Sequence, residues 1–517
     1  MSRQFLEADY EAALAGQVRV GDLLAADHPA RFLVDLLGLV DFSAFRARFG
    51  RKGGRPYDPV VLCGLLLYGY LRGVFSSRKI ERATYEDAGY RYVGGNLHPD
   101  HDTLAHFRKT FLAEITEVFV QVLVAAKVCG VPLDGAASVD GSKIHADASK
   151  SAAVSYGRLG ELEETLRQEV TTLLAAAAAA DGAEDAGRLQ GEVARREARL
   201  AQLAQARAVL EQRAAERDAE ERAAYEAKLA ERAARAERTG KPPRGREPQP
   251  PTAGPQPKDQ FNFTDPDSRI MKESSSGGFE QSYNAQAVTD QASMLVVGAR
   301  VSNHPTDVGE LLPDLDAIPV VLGPPPAVAS DAGFFSGPNV AGCLARGSEP
   351  YIATGREAHR LPLAEVLHGP TPPTPAAADV TPRAAMAAKL QTPAGRAIYR
   401  LRKCTIEPVI GIIKEALGFR QFSLRGLASV NGEWTLVCLA YNIKRLHRLL
   451  GGILPAAASA AQVAAALAHA LRRWRAARRW KRLRALAQAV AALAGLCTAV
   501  LLWTIASCLC ELSPTGC

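Results

Sequence analysis

Three acidic residues of this 517-residue chain stand in settings that suit metal-assisted chemistry. Asp140 lies in Ala137-Ser138-Val139-Asp140-Gly141-Ser142-Lys143-Ile144, Asp331 in Ala327-Val328-Ala329-Ser330-Asp331-Ala332-Gly333, and Glu407 in Cys404-Thr405-Ile406-Glu407-Pro408-Val409-Ile410. The first two each close a short run of small and apolar residues that reads as a buried strand, and the third belongs to an amphipathic helix. Carboxylates from two strand ends and one helix are what a two-metal phosphoryl-transfer site requires, with ions about 3.5 to 4 Å apart on the attacking and leaving oxygens. Mg²⁺ takes oxygen ligands and keeps several waters, so a few carboxylates suffice. In this reading Asp140, Asp331 and Glu407 are both the catalytic and the metal-binding residues of a polynucleotidyl transferase. Asp140 bridges two Mg²⁺ ions, for which Mn²⁺ can substitute, and the other two acids complete one ion each.

The segment around Glu407 carries a further expectation. Arg400, Lys403, Glu407 and Lys414 are separated by three, four and seven residues, so a regular helix presents them on one face. On that face Glu407 can hold metal while Arg400, Lys403 and Lys414 grip DNA phosphate. The plainer alternative is an exposed face with ordinary i,i+4 charge pairing, worth only tenths of a kcal/mol. Ile406, Val409, Ile410 and Ile413 fall on the other side and put Glu407 at the rim of a buried surface. Asp134, Asp147, Asp290 and Asp307 are competing carboxylates, of which Asp307, in Asn303-His304-Pro305-Thr306-Asp307, reads as a helix cap. A lone Asp after an apolar strand caps turns as readily as it catalyses, so the weight rests on three acids together.

Charge is distributed unevenly. From Arg396 to Arg484 there are 18 Lys and Arg against three acids, about +15, so the rest of this +7 chain carries about −8. A basic C-terminal third around carboxylates favours a polyanion partner. The nine cysteines are scattered without metal-ligand spacing, which argues against zinc and for reduced thiols. The N-terminal residues show no apolar signal core, and the expected location is the cytoplasm, at the nucleoid. Ala485 to Cys510 runs 26 residues without a charge after a basic tract. That is long enough to span a bilayer, with an Ala-rich packed helix as the alternative.

The elements that must position the acids follow from periodicity. Residues 1–130 read as an all-α N-terminal domain, with helical spacing over Arg31–Leu37 and Val60–Gly73. Two polar helix starts, Ser76–Arg82 and His98–Lys109, present basic residues, so Arg78, Lys79 and Arg82 are expected to contact DNA from a helix-turn-helix-like unit, a structural helical domain being the alternative. His98, His101 and His106 fit helix-start chemistry better than a metal site. Residues 131–450 read as an α/β catalytic domain interrupted by a helical insertion, 156–240, and a Pro-rich linker, 241–258. In the insertion Leu159, Leu162, Leu166, Val170 and Leu173 step by 3, 4, 4 and 3, predicting an antiparallel hairpin or coiled coil that acts as a spacer or dimer surface. Strands are expected at Ser282–Asp290, Met294–Val301, Ala327–Ser330 and Pro350–Thr354, with a helix over Asp307–Ala317. A second Pro-rich stretch, Gly369 to Pro382, precedes the Glu407 helix. Residues 451–517 form a basic and then apolar helical tail.

Strands in series, a crossover helix, another strand and a final acidic helix outline an RNase H-like α/β domain with a coiled-coil insertion after its first strand. At this point the chain resembles the DDE-type transposases of bacterial insertion sequences, in the subgroup with an N-terminal helical domain and a helical insertion after the first catalytic Asp. The phrases that carry the resemblance include Gly54-Arg55-Pro56-Tyr57-Asp58-Pro59, Ser76-Ser77-Arg78-Lys79-Ile80-Glu81-Arg82, His98-Pro99-Asp100-His101-Asp102-Thr103, Val139-Asp140-Gly141-Ser142-Lys143, Thr264-Asp265-Pro266-Asp267-Ser268-Arg269, Tyr283-Asn284-Ala285-Gln286, Asp331-Ala332-Gly333 and Glu407-Pro408-Val409. They extend from about residue 15 to about residue 450. The resemblance implies a Mg²⁺-dependent enzyme that binds its element's terminal inverted repeats, cuts the ends and joins them to target DNA, working as a homodimer or larger assembly. It carries metal roles onto Asp140, Asp331 and Glu407 and a DNA contact onto Lys414. Related enzymes often place a Tyr three residues before an Arg and that Arg four before the Glu. Tyr399 and Arg402 keep the first step, but Glu407 lies five beyond Arg402, so no role is carried onto either. A nuclease without strand transfer and an inactive DNA-binding remnant are the competing readings.

Overall fold

The computed structural model describes residues 6, 8–10, 18–50, 54–179, 183–240, 247–272, 277–355, 381–454, 465–477, 479, 480 and 483. Seven helices come first: α1 (Pro29–Gly38), α2 (Ser43–Arg46), α3 (Pro59–Leu71), α4 (Ser77–Glu86), α5 (Ala88–Val93), α6 (His101–Thr110) and α7 (Leu112–Val128). Their starts are written locally. Asp58 accepts from Val60 N with Pro59 at the first helical position, Asp87 accepts from Gly89 N and Tyr90 N, and Asp100 accepts from Thr103 N. Helix α3 is apolar on every side and is buried on every side, so it is the axle of the helical region.

A mixed six-stranded sheet follows, built from β1 (Ala137–His145), β4 (Arg269–Lys272), β5 (Phe279–Asp290), β6 (Val296–Ser302), β7 (Ala327–Ser330) and β8 (Glu349–Ile352). The core of the sheet reads β6-β5-β1-β7-β8, with β5 antiparallel to β1 and β6 and with β7 and β8 parallel to β1; β4 extends β5 on its far side. Helices α10 (Leu311–Ala317) and α11 (Gly337–Ala345) connect these strands, and α12 (Pro382–Gln391), α13 (Pro393–Gly411) and α14 (Leu427–Leu449) complete the body. A continuous apolar core joins α1, α3 and α7 to β1, β5, β6, α13 and α14.

Between β1 and β4 the chain leaves as α8 (Tyr156–Ala178) and returns as α9 (Ala183–Thr239). Arg207 pairs with Glu163 and Arg196 with Glu169, so the helices run antiparallel. They bury Leu159, Leu203 and Leu210 against Phe261 in a small core separate from the main one. A two-stranded stem, β2 (Ala153–Ser155) against β3 (Gln260–Asn262), closes the loop at its base. The heptad break at Asp181-Gly182, part of the 241–258 linker and most of the second Pro-rich stretch lie outside the described residues.

A buried polar knot ties the N-terminal helices to α14. Glu433 on α14, fully buried, accepts from Tyr70 Oη, Ser423 Oγ and the backbone N–H groups of Ser423 and Leu424. Arg108 on α6 donates to Tyr70 Oη and to Phe75 O, which brings a guanidinium beside the buried carboxylate. The chain is helical over 465–477, where Leu467 and Leu471 are buried and Arg475 pairs with Glu117 on α7. No described helix is long and apolar enough to cross a membrane, and the 485–510 stretch lies outside the described residues. Cys63, Cys129, Cys343, Cys404 and Cys438 are free thiols.

Candidate active site

Asp140 is in the middle of β1 rather than at a strand end. The strand runs on to His145 because β5 pairs with it along its whole length, from Ala137↔Asp290 to His145↔Ser282. On the other side β7 pairs only as far as Val139↔Ser330. Asp140 and Asp331 are therefore the next residues on two neighbouring parallel strands, at the point where β1 loses one partner; such strands are about 4.8 Å apart.

Alternation along β1 turns Ser138, Asp140 and Ser142 to the α13 side, and each meets a different group there. The Ser138 and Thr405 hydroxyls lie 2.8 Å apart, Arg402 Nη1 is 3.5 Å from Asp140 Oδ2, and Lys414 Nζ is 3.3 Å from Ser142 Oγ. Arg402 Nη2 also reaches Glu407 Oε1 at 3.1 Å, so one guanidinium spans the first and third acids. Arg402 is nearly buried, Asp140 keeps 21 % of its side chain exposed, and Glu407 keeps 49 %.

Burial is the largest reason that the Asp140 carboxyl is raised from 3.8 to about 7, and the Asp331 charge is the next. Arg402 and the Gly141 N–H, which donates to Asp140 Oδ1 at 2.8 Å, oppose the rise. Asp331 accepts from Gly333 N at 2.8 Å and starts the short turn after β7. Among the described residues no three His, Cys, Asp or Glu side chains cluster closely enough to hold one ion.

Glu407 lies at the rim as its flanks require: Ile406, Val409 and Ile413 are fully buried. The expected single face of Arg400, Lys403, Glu407 and Lys414 does not persist. Pro408 deprives α13 of an N–H, and from Ile412 to Ala416 the chain widens into a π turn that changes the angular step between residues. Lys414 is thereby carried to β1, where it also donates to Lys143 O, while Arg400 and Lys403 are exposed on α13. Arg78, Lys79 and Arg82 are exposed on α4, within the N-terminal helices, and Arg82 pairs with Glu86. His98 contacts the Thr84 hydroxyl and His101 contacts Glu81.

Asp307 is not a helix cap. Helix α10 starts at Leu311 after Glu310, and Asp307 Oδ1 instead accepts from Asn284 Nδ2 at 2.6 Å and Gln286 Nε2 at 2.8 Å, with Lys143 Nζ at 3.7 Å. These groups lie on the face of β1 opposite Asp140 and account for Gly141. A Cβ there would run into Gln286 Nε2 and come within 2.8 Å of Asn284 Oδ1. Sequence reasoning counted Asp307 among competing carboxylates but read it as a cap, and it carried no role onto Arg402, so it placed neither against β1. Asn284 and Gln286, two amides two apart interleaved with Tyr283, Ala285 and Ala287, were the available signal for the first.

Residues 18–110 match the family described as Transposase domain (DUF772), and residues 376–447 match the family described as Transposase DDE domain. No curated protein and no solved structure matches the chain. The second match contains Glu407 and Lys414, and Asp140 and Asp331 lie outside both. The helical N-terminal region and the mixed sheet with helices are consistent with a transposase DDE domain, as the two matches describe it. The two matches support an insertion-sequence DDE transposase.

Proposed function

We propose that this transposase binds the terminal inverted repeats of its element and catalyses strand cleavage and strand transfer with two divalent ions, Mg²⁺ or Mn²⁺. The observation that carries the reading is that Asp140 and Asp331 follow paired residues on two adjacent strands inside the sheet and that Arg402 joins Asp140 to Glu407. The strand order β6-β5-β1-β7-β8, with its antiparallel half and its parallel half, supports an RNase H-like catalytic domain. The antiparallel α8 and α9 support a coiled-coil insertion at 156–240. The division into a DNA-binding helical domain at 1–130, a catalytic domain at 131–450 and a tail at 451–517 is part of the same proposal.

The residues fit divalent ions of the Mg²⁺ type. All three donors are carboxylates, and such ions need only one or two carboxylates each, water and substrate phosphate completing the shell. Asp140 and Asp331 would hold one ion together and Asp140 and Glu407 the other, and bound ions would stabilise negative charge on the attacking and leaving oxygens. Lys414, Lys403 and Arg400 are the phosphate contacts nearest the acids, and Arg78, Lys79 and Arg82 offer a second DNA surface on α4. The working unit is a homodimer or larger assembly on nucleoid DNA in the cytoplasm.

The test uses pre-cut repeat ends and a plasmid target, with Mg²⁺, for the wild type and Asp140→Ala. Joined products from wild type alone support the proposal. Cleavage without joining would make the protein a nuclease, binding without cleavage a remnant, and undiminished nicking by the variant would remove Asp140 from the mechanism.

A further inference from the structure

The guanidinium of Arg402 occupies an unusual place. It lies between two of the three acids, 3.5 Å from Asp140 Oδ2 and 3.1 Å from Glu407 Oε1, with its side chain only 8 % exposed. Its own bonding is incomplete, because Nε is buried without a partner. A buried donor left unmade costs roughly 1 to 3 kcal/mol, and the two carboxylates and the Tyr399 side chain hold the guanidinium in place. Asp140 has both oxygens engaged, Oδ1 by Gly141 N and Oδ2 by Arg402.

We infer that Arg402 is the resident cation of the site: a positioning residue that keeps Asp140 and Glu407 facing each other and competes with divalent ions for them. The inference rests on the reading of those two acids as ion ligands. Like charges brought close together repel, and a single fixed positive charge between Asp140 and Glu407 relieves part of that repulsion without ions. A divalent ion held by Asp140 and Glu407 would compete with the guanidinium for the same two carboxylates. In the same pose the guanidinium also lies over Tyr399, its Cζ 5.8 Å from the ring centre, a contact that does not depend on the carboxylates. A cation over an aromatic face is favourable. Arg402 thus sets a threshold for ion entry, and a phosphate arriving with the ions would offer the displaced guanidinium a new anion.

The experiment is Mn²⁺ binding to the full chain without DNA, followed by calorimetry and by loss of the free-ion electron paramagnetic resonance signal. Wild type, Arg402→Gln, Arg402→Lys and Asp140→Asn are compared, with circular dichroism melts to verify folding. Arg402→Gln is expected to bind Mn²⁺ at least about fivefold more tightly than wild type, the lower end of couplings between sites that share an energetic link. Arg402→Lys, which keeps the charge but not the fork, is expected to fall between. A purely structural arginine would leave affinity unchanged or weaken it, so equal or weaker binding by folded Arg402→Gln overturns the inference. The ligand reading fails separately: it falls if Asp140→Asn binds as wild type does, or if neither wild type nor Arg402→Gln binds. Should Arg402→Gln not fold, Arg402→Lys decides, and affinity no tighter than wild type counts against the inference.

Discussion

Asp140→Asn should stabilise the ion-free protein at alkaline pH while abolishing cleavage. The carboxyl is raised from 3.8 to about 7, mainly by burial, so the folded state holds its proton more tightly than the unfolded chain does. The favourable contribution is present below pH 4 and is lost as pH rises from about 4 to about 7. Above that window the folded protein carries an ionised, desolvated carboxylate. The full difference corresponds to about 4 kcal/mol at 1.36 kcal/mol per pH unit, and the attraction of Arg402 is already inside that net figure. Because 21 % of the side chain still meets solvent, screening reduces the expected gain to about 2 kcal/mol. Urea unfolding in EDTA, followed by circular dichroism, should find Asp140→Asn more stable than wild type by about 2 kcal/mol at pH 8 and by less than about 1 kcal/mol at pH 5. A variant no more stable than wild type at pH 8, or an advantage that does not shrink at pH 5, would refute the argument that burial of this carboxylate is a strain the site bears for function.

Glu407→Gln and Asp331→Asn should each lower Mg²⁺-dependent nicking by at least about a hundredfold while leaving repeat binding within a few-fold, read by single-turnover cleavage and fluorescence anisotropy. Gly141→Ala should cost about 1 to 3 kcal/mol, because the new Cβ meets the buried amides of Gln286 and Asn284; thermal melts giving less than about 0.5 kcal/mol would show that the sheet shifts freely there. Glu433→Ala should cost about 3 to 5 kcal/mol, since Tyr70, Ser423 and Leu424 lose their buried acceptor and Arg108 its nearby negative charge, and Glu433→Gln should recover part of that in urea unfolding. Replacing residues 160–252 with a short Gly/Ser linker, the β2–β3 stem retained, should keep a cooperative melt of the main body, because the removed helices pack with the stem in a small core separate from the main one.

Much of this architecture was legible because local and global preferences agree. The buried run Ala327–Ser330 is a strand with those bounds, and Asp58-Pro59 starts α3 as the sequence writes it. The expected strands at Ser282–Asp290 and Met294–Val301 appear as β5 and β6, with ends moved by a few residues. What escaped was set by partners far away in sequence. Gly141-Ser142-Lys143 is too polar to read as strand interior, yet β5 supplies a ladder for it. The short β2, β3 and β4 exist only through pairing and carry no periodicity of their own. Asp307 has the local signature of a cap, but the Asn284 and Gln286 amides outbid the helix for its carboxylate. Arg402 was set aside for being five residues from Glu407 instead of four, a criterion that tracks backbone angle and ignores the reach of a long side chain that also has Asp140 to meet.

The Tyr70–Glu433 contact closes a loop of 363 residues, and that has a consequence for synthesis. At about 5 to 20 residues per second, roughly 20 to 70 seconds separate the emergence of α3 from that of the helix that covers it. Throughout that interval α3, apolar on all sides, lacks part of its burial. The nascent helical region is therefore a natural client for chaperones, and slower elongation should prolong the period in which it can aggregate. A ribosome that stalls before Glu433 releases a chain whose N-terminal helices have no buried carboxylate for Tyr70 and Arg108, so an incomplete copy should be marked for proteolysis before it can compete for DNA.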